Sequence, residues 1–207
     1  MNITELRYKE IYLKESEKLI DAINNNKKIV FDNYNKVIKQ NNINNVRHFI
    51  ITLFNVFDVK PISIYITKSK RWGGYFKTNY NVLNKKIFGT CIRINLNHED
   101  NYGLALSCLH ELCHYLVYCI YIKHNAFDIN EYKQINGHSL PFQILFKGLS
   151  KRFHYEICSY TKCDFDIDIK ALQMEIEETE EKETAKTETI ATQRTFALQS
   201  AIQLNLF

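Results

Sequence analysis

Proline and glycine are scarce in this chain of 207 residues, which contains 2 prolines and 6 glycines. So low a content excludes collagen-like chains and disfavours repeat architectures and architectures dominated by flexible linkers. Hydrophobic residues make up 45% of the chain and aromatic residues 13%, which is ample for a packed core. A wholly disordered chain is therefore excluded, and the length fits one domain or one domain with an extension.

Long uncharged hydrophobic runs are also missing. No window approaches the roughly 18 uncharged apolar residues of a membrane span, and Met1 to Glu10 mixes charged residues from the start, unlike a signal peptide. Four of the six cysteines lie inside apolar stretches and are typical of reduced core thiols: Cys91, Cys108, Cys113 and Cys119. We therefore expect a soluble, cytoplasmic protein without a membrane partner.

Negative charge is absent from one long segment. Residues 59 to 98 contain no Asp or Glu but hold eight basic residues: Lys60, Lys68, Lys70, Arg71, Lys77, Lys85, Lys86 and Arg93. Aromatic residues are interleaved with them, a combination in which cations contact phosphates while rings stack on unpaired bases. One interpretation is therefore contact with single-stranded or damaged DNA, and the other is a solvated sheet face with core aromatics. The DNA interpretation assigns binding to Lys68, Lys70, Arg71, Trp72 and Lys77.

Hydrophobic periodicity predicts helices first and a small sheet after them. Helical spacing runs over residues 3 to 24 and from Ile29 to Val59, with an asparagine-rich interruption at Asn41 to Asn45. Alternating residues predict strands near residues 62 to 67 and 92 to 96, and Gly73-Gly74-Tyr75-Phe76 predicts a turn into another. We expect an N-terminal helical region, residues 1 to 42, and a domain over residues 43 to 174 with an about three-stranded sheet.

Two further helices are predicted after the sheet. The first runs from about Tyr102 to Ile122, is capped by Asp100 or Asn101, and is apolar nearly all round, so it should be buried. Pro141 can open the second, which continues to about Phe153. The predicted fold class is α+β: N-terminal helices, a small sheet, and a buried helix followed by another helix.

The buried helix contains the sequence His110-Glu111-Leu112-Cys113-His114. Imidazoles at positions i and i+4 share a helix face and can hold one Zn²⁺, with the intervening Glu placed as a general base. The alternative is two core histidines with ordinary hydrogen-bond partners. In that case three polar side chains on an apolar helix need partners, and each one left without a partner costs about 1 to 3 kcal/mol of desolvation. The pattern therefore predicts a catalytic zinc site.

A catalytic zinc site needs a third protein ligand. We favour His138, because Gly137 lets the backbone turn and Pro141 starts the next helix, so the imidazole can face the first helix. Glu131 is an alternative carboxylate ligand. His124 is closer in sequence, but we expect it just past the helix end.

These motifs resemble the SprT-like zinc metalloprotease domain over about Ile43 to Phe153. The matching features are His110 to His114, Gly137-His138 with an aromatic residue four positions after His138, Gly73-Gly74-Tyr75, and Ile92 to Asn97. The resemblance implies a zinc metalloendopeptidase in which His110, His114 and His138 bind zinc and Glu111 is the catalytic base. The Spartan branch of the family further implies DNA-associated or DNA-crosslinked protein substrates and a nucleoid-associated location.

The chain departs from the family pattern at two places. Ser139 replaces the usual second glycine, and the loop between His114 and His138 is longer than is common. Family members often add a four-cysteine zinc ribbon, but only Cys158 and Cys163 follow here, and two thiols cannot close a structural zinc site.

The C-terminal part differs in composition from the rest. Glu175 to Phe207 carries seven acidic and three basic residues, and residues 175 to 202 lack a core pattern, which predicts a disordered acidic linker. The final five residues resemble the pentapeptide with which bacterial replication and repair proteins bind the β sliding clamp, through Gln203, Leu204, Leu206 and Phe207. The alternative is an amphipathic turn that docks on the protein itself.

Three functions thus follow from the sequence. The first is a zinc metalloprotease that acts on DNA-associated proteins and is recruited by the sliding clamp. The second is a general gluzincin-like peptidase with Glu131 as a ligand and no DNA role. The third is a non-enzymatic adaptor that binds the clamp or DNA and contains a structural zinc.

Overall fold

The computed structural model describes residues 3–68, 74–81, 86–98, 100–124, 132, 135 and 137–153. In order, the elements are α1 (Ile3–Asn25), α2 (Lys27–Lys39), α3 (Ile43–Val56), β1 (Ser63–Thr67), β2 (Gly74–Asn81), β3 (Lys86–Asn95), α4 (Asn101–His124) and α5 (Leu140–Arg152). The predicted α+β class, with N-terminal helices and a small three-stranded sheet, is confirmed. From Arg7 onward these elements belong to one compact unit, Arg7–Asp166.

The asparagine-rich stretch ends one helix and starts the next. The Asn42 side chain accepts a hydrogen bond from the backbone N–H of Asn45 at 2.9 Å and so caps α3. The Asn45 side chain donates to the carbonyls of Lys36 and Gln40 at the end of α2. Short amide side chains compete with the helix backbone for hydrogen bonds, which is why this composition interrupts the helix.

The sheet is mixed, with strand order β1-β3-β2. β1 pairs with β3 in parallel and β2 pairs with β3 antiparallel. Ile92 and Ile94 on β3 are fully buried and mark the inner face, which packs toward the helices. The Phe76 ring on the same inner face contacts Tyr115 and Tyr118 of α4. Because side chains alternate between faces, the residues between these positions form an outer face.

Helix α4 is the core of the unit and is longer than predicted by one residue at its start and two at its end. Asp100 is the cap, since its carboxylate accepts the backbone N–H of Gly103, whereas the Asn101 side chain donates to the carbonyl of Ile38 at 2.7 Å. By length and composition α4 could cross a membrane, but 72% of its apolar window is buried inside the protein. Core helices of soluble proteins pass the same test, so the cytoplasmic location stays a prediction.

Helix α1 packs against both α4 and α5. The Tyr12 hydroxyl donates a buried hydrogen bond to the carbonyl of Val117 at 2.9 Å. At Gly148 of α5, an added Cβ would lie only 2.6 Å from the Ser16 hydroxyl, so the absence of a side chain allows this close approach. The N-terminal helices therefore support the two helices that follow the sheet.

The end of α5 is anchored in an aromatic cluster. The Phe153 ring lies 5.3 Å from Phe31, 5.0 Å from Tyr34 and 5.9 Å from Phe49, measured between centroids. Aromatic pairs at such separations add to the stabilisation from buried area. This cluster fixes the position of α5 against α2 and α3.

Candidate metal centre

Three histidines converge between α4 and the start of α5. His110 and His114 lie one turn apart on α4, and His138 lies just before α5. The His110 Nε2 atom is 3.3 Å from Nε2 of His114 and 3.0 Å from Nε2 of His138. The candidate ligand atoms of all three lie within 4.8 Å of one another. The structure thus brings together the three histidines that the sequence nominated, close enough to hold one metal ion.

The segment before α5 is shaped so that His138 faces α4. Gly137 has a φ of 82°, a left-handed conformation that glycine adopts without strain. The Ser139 hydroxyl donates to the carbonyl of Ile135, and the Gln143 side chain donates to the carbonyl of His138 at 2.9 Å. Ser139 therefore contributes a hydrogen bond to this turn.

Two of the three separations between the donor atoms are close to those around a tetrahedral zinc ion. Nitrogens bound tetrahedrally at about 2.0–2.1 Å lie roughly 3.3–3.4 Å apart, and the observed separations of 3.3 and 3.0 Å are close to that value. A single proton on His110 Nε2 can bridge to only one of its two neighbours. A metal ion uses all three lone pairs at once, so the arrangement suits a metal better than a hydrogen-bonded trio.

The imidazoles are held in the neutral form that metal binding requires. Burial, with help from His138, lowers the pKa of His110 to about 4. Burial, with help from His110 and His138, lowers the pKa of His114 to about 3. Burial also lowers the pKa of His138, the most exposed of the three. The centre is therefore open to solvent on the His138 side.

Aromatic residues of α5 position the imidazole rings. The fully buried Phe142 ring stacks on His114 at 4.2 Å, and its centroid lies 4.9 Å from those of both His110 and His138. The Phe146 ring contacts His110 at 5.3 Å. The buried Nδ1 atom of His110 has no hydrogen-bond partner among the described residues. Ring packing therefore orients His110. In most metal-binding histidines, by contrast, the ring nitrogen that does not bind the metal donates a hydrogen bond to an acceptor.

Glu111 lies between α4 and strand β2. Its side chain is buried, and its carboxylate accepts a hydrogen bond from the backbone N–H of Phe76. Burial raises the pKa of Glu111 to about 8, and the Phe76 hydrogen bond opposes that rise. The candidate base thus lies on the helix that carries His110 and His114 and is held by strand β2, which packs against that helix.

Gly74 makes room for Glu111. A Cβ atom on Gly74 would lie 2.9 Å from Cγ and 3.0 Å from Oε1 of Glu111, closer than real Cβ contacts. The sequence suggested only that Gly73-Gly74 forms a turn, and the contact with Glu111 was missed. A glycine at a strand end can also signal close approach of another group, but nothing in the sequence identified that group.

The other predicted site residues lie elsewhere or outside the described residues. His124 is the last residue of α4, and its Nε2 lies 3.2 Å from Glu15, so it does not join the three histidines. Lys68 follows β1 and Lys77 lies on β2, and both are exposed. The remainder lie outside the described part of the chain: Lys70, Arg71, Trp72, Glu131, Cys158, Cys163, Gln203, Leu204, Leu206 and Phe207.

Comparison with protein-family models, curated proteins and solved structures finds no match to this chain. The resemblance to SprT-like metalloproteases therefore rests on the sequence motifs alone.

Proposed function

We propose that this protein is a zinc-dependent metalloendopeptidase. The observation that carries the proposal is that His110, His114 and His138 lie close enough together to hold one metal ion, with the buried Glu111 on the helix that carries two of them. Three imidazoles with a further position open to solvent are the donor set of catalytic zinc sites, whereas structural sites close all four positions with protein ligands. The exposure of the His138 side chain supports such an opening on that side of the centre.

Each residue has a distinct role in the proposed reaction. His110, His114 and His138 would hold the ion, which when bound supplies Lewis acidity toward a water molecule and a peptide carbonyl. A cation held by the three histidines would favour the ionised form of Glu111, against the effect of burial. In that form Glu111 would accept a proton from the attacking water and return it to the amine nitrogen that leaves. The Phe76 N–H keeps the carboxylate in place, and Phe142 keeps the imidazoles aligned.

Glu111→Gln tests the proposal because it preserves the shape of the side chain and removes the base. We expect hydrolysis of an unstructured protein substrate to fall by roughly 10²- to 10⁴-fold, while zinc content, measured by metal analysis of the purified protein, stays equal to that of the parent. Equal hydrolysis by the parent and the variant contradicts the proposal. Such a result, with zinc retained, would favour the non-enzymatic adaptor.

We further propose that the substrates are DNA-associated or DNA-crosslinked proteins. Support comes from the segment of residues 59 to 98, which has eight basic residues and no carboxylate. The test is cleavage of a DNA-bound protein with and without single-stranded DNA, with Glu111→Gln as the blank. Cleavage that depends on Glu111 but not on DNA would favour the general peptidase.

We also propose recruitment by the bacterial β sliding clamp. Support comes from the terminal Gln203-Leu204-Asn205-Leu206-Phe207, in which apolar anchors follow an acidic stretch. Replacing Leu206 and Phe207 with alanine should abolish binding of the full chain to immobilised clamp, while replacing Leu198 and Ile202 should not. Equal binding by both double variants contradicts the proposal.

A further inference from the structure

The outer face of the sheet carries a row of three aligned side chains, one from each strand. Arg93 on β3 is in register with Tyr65 on β1 and with Tyr75 on β2. Residues in register across paired strands project from the same face, and neighbouring strands lie about 4.7–4.9 Å apart. Ile92 and Ile94, the sequence neighbours of Arg93, point inward and are fully buried. Tyr65, Arg93 and Tyr75 therefore form a continuous strip on the side of the sheet opposite α4.

The strip leaves a ring and a cation available to a partner. Tyr65 is 52% exposed, and the Arg93 guanidinium lies over the Tyr75 ring, 5.0 Å from its centroid. Arg93 forms no ion pair with any described residue, and its buried Nε atom has no hydrogen-bond partner there. Within the described part of the chain, the arginine is thus held by an aromatic ring rather than by a carboxylate.

A second cation stands on the same face. Lys77 on β2 is exposed and pairs with Cys91 on β3. Cys91 lies two residues before Arg93 on the same strand. None of the strands contributes an acidic side chain, since residues 59 to 98 contain no Asp or Glu. Accessible rings beside cations that pair with no described carboxylate suit a single strand, whose phosphates need cations and whose unpaired bases offer faces for stacking. A duplex hides those faces within its own stack.

We propose that this outer strip binds single-stranded nucleic acid, with Tyr65 stacked on a base and with Arg93 and Lys77 contacting phosphates. The inference rests on the DNA-associated part of the proposed function. It does not depend on peptide hydrolysis, because the strip contains no residue of the metal centre and lies on the other side of the sheet.

The test is fluorescence anisotropy with a labelled oligothymidylate of about 20 nucleotides and with a duplex of the same length. The protein is the full-length, zinc-loaded Glu111→Gln variant, so that hydrolysis cannot alter it. We expect Tyr65→Ala to weaken binding of the single strand roughly 5- to 100-fold, and Tyr65→Phe to restore it, because the ring is kept. Lys77→Ala should weaken binding and lower its salt dependence by about one phosphate contact.

Tyr102→Ala is the matched control, since Tyr102 is 56% exposed at the start of α4, away from the strip. Thermal unfolding of each variant checks that it remains folded. The inference is overturned if Tyr65→Ala binds like Tyr102→Ala, or if Tyr65→Ala weakens single-strand and duplex binding equally. Competition by polyglutamate as strong as by unlabelled oligothymidylate overturns it as well, because it would identify an acidic peptide as the partner. Hydrolysis is measured separately on a Tyr65→Ala variant that retains Glu111. This measurement distinguishes a loss of nucleic-acid binding from a failure of the peptidase proposal.

Discussion

His110 and His124 lie on the same helix in opposite electrostatic surroundings. Around His110, imidazoles face one another beside aromatic rings, and burial lowers the pKa of His110 to about 4. Around His124, the carboxylate of Glu15 contacts three potential cations, namely Lys18, Lys123 and His124 itself. Burial without a counter-charge favours the neutral imidazole of His110, which can bind a metal, whereas the hydrogen-bond partners of Glu15 favour its ionised carboxylate. The first cluster is suited to chemistry and the second to holding α1 against α4.

The largest expected effect separates the two clusters directly. His138→Ala removes one of three donors, so we expect zinc affinity to fall by more than about 100-fold. Substitutions of residues that only hydrogen-bond to a metal ligand typically cause a smaller loss. Competition with a chromogenic chelator measures this affinity. His124→Ala is the control and should leave zinc affinity unchanged. A His138→Ala protein with parental affinity would mean that the centre does not use this histidine.

A smaller effect is expected at the contact between β2 and Glu111. Gly74→Ala places a Cβ atom 2.9 Å from both Glu111 Cγ and the carbonyl oxygen of Arg93. Overpacking of this kind costs about 1–3 kcal/mol of stability, and displacement of the base should lower kcat/KM by about 100-fold. Zinc content should stay at the parental level, which distinguishes this variant from His138→Ala. Parental kcat/KM in a folded Gly74→Ala protein would show that this approach does not position Glu111.

The smallest effect concerns the charged cluster. Burial alone would raise the pKa of Glu15, but hydrogen bonds from Lys18, Lys123 and His124 outweigh it and lower the pKa from 4.5 to about 2. A lowered pKa stabilises the folded state above about pH 4.5, and that stabilisation is lost as the pH falls toward 2. Because Lys18 and Lys123 are largely exposed, solvent screening reduces the contribution to about 1 kcal/mol.

Glu15→Gln should therefore lower the free energy of unfolding by about 1 kcal/mol at pH 7 and leave little difference near pH 2. Urea denaturation at the two pH values measures it, with zinc affinity as the control that should not change. A difference that is the same at both pH values would show that the effect comes from packing rather than charge.

Local patterns predicted the elements well. The apolar residues of α4 revealed its burial, and the asparagines at residues 41 to 45 marked the break between α2 and α3, because both signals depend on neighbours within a few residues. Alternation located β1 and the end of β3. The earlier half of β3, from Lys86, has no such alternation and was missed.

Contacts between distant residues could not be predicted in the same way. The strand order, the hydrogen bond from Asn101 to Ile38, and the fit of Glu111 against Gly74 all depend on how elements meet after folding. His110 and His114 could be paired from their spacing alone. His138 was predicted from a turn and from the family resemblance, and the structure brings it together with the other two imidazoles. Glu131 lies outside the described residues, so its place as an alternative ligand stays a prediction.

The packing of α1 on α4 and α5 constrains the order in which the chain can fold during its synthesis. The Tyr12 hydrogen bond to Val117 spans 105 positions of the chain, and Ser16 meets Gly148 farther along still. Contacts of such long range slow folding, and a chain made from its N-terminus must wait for them. On the ribosome, α1 is synthesised first but gains these partners only when α5 has emerged. The apolar faces of α1 thus stay exposed through most of translation. During that time they are available for a chaperone to bind.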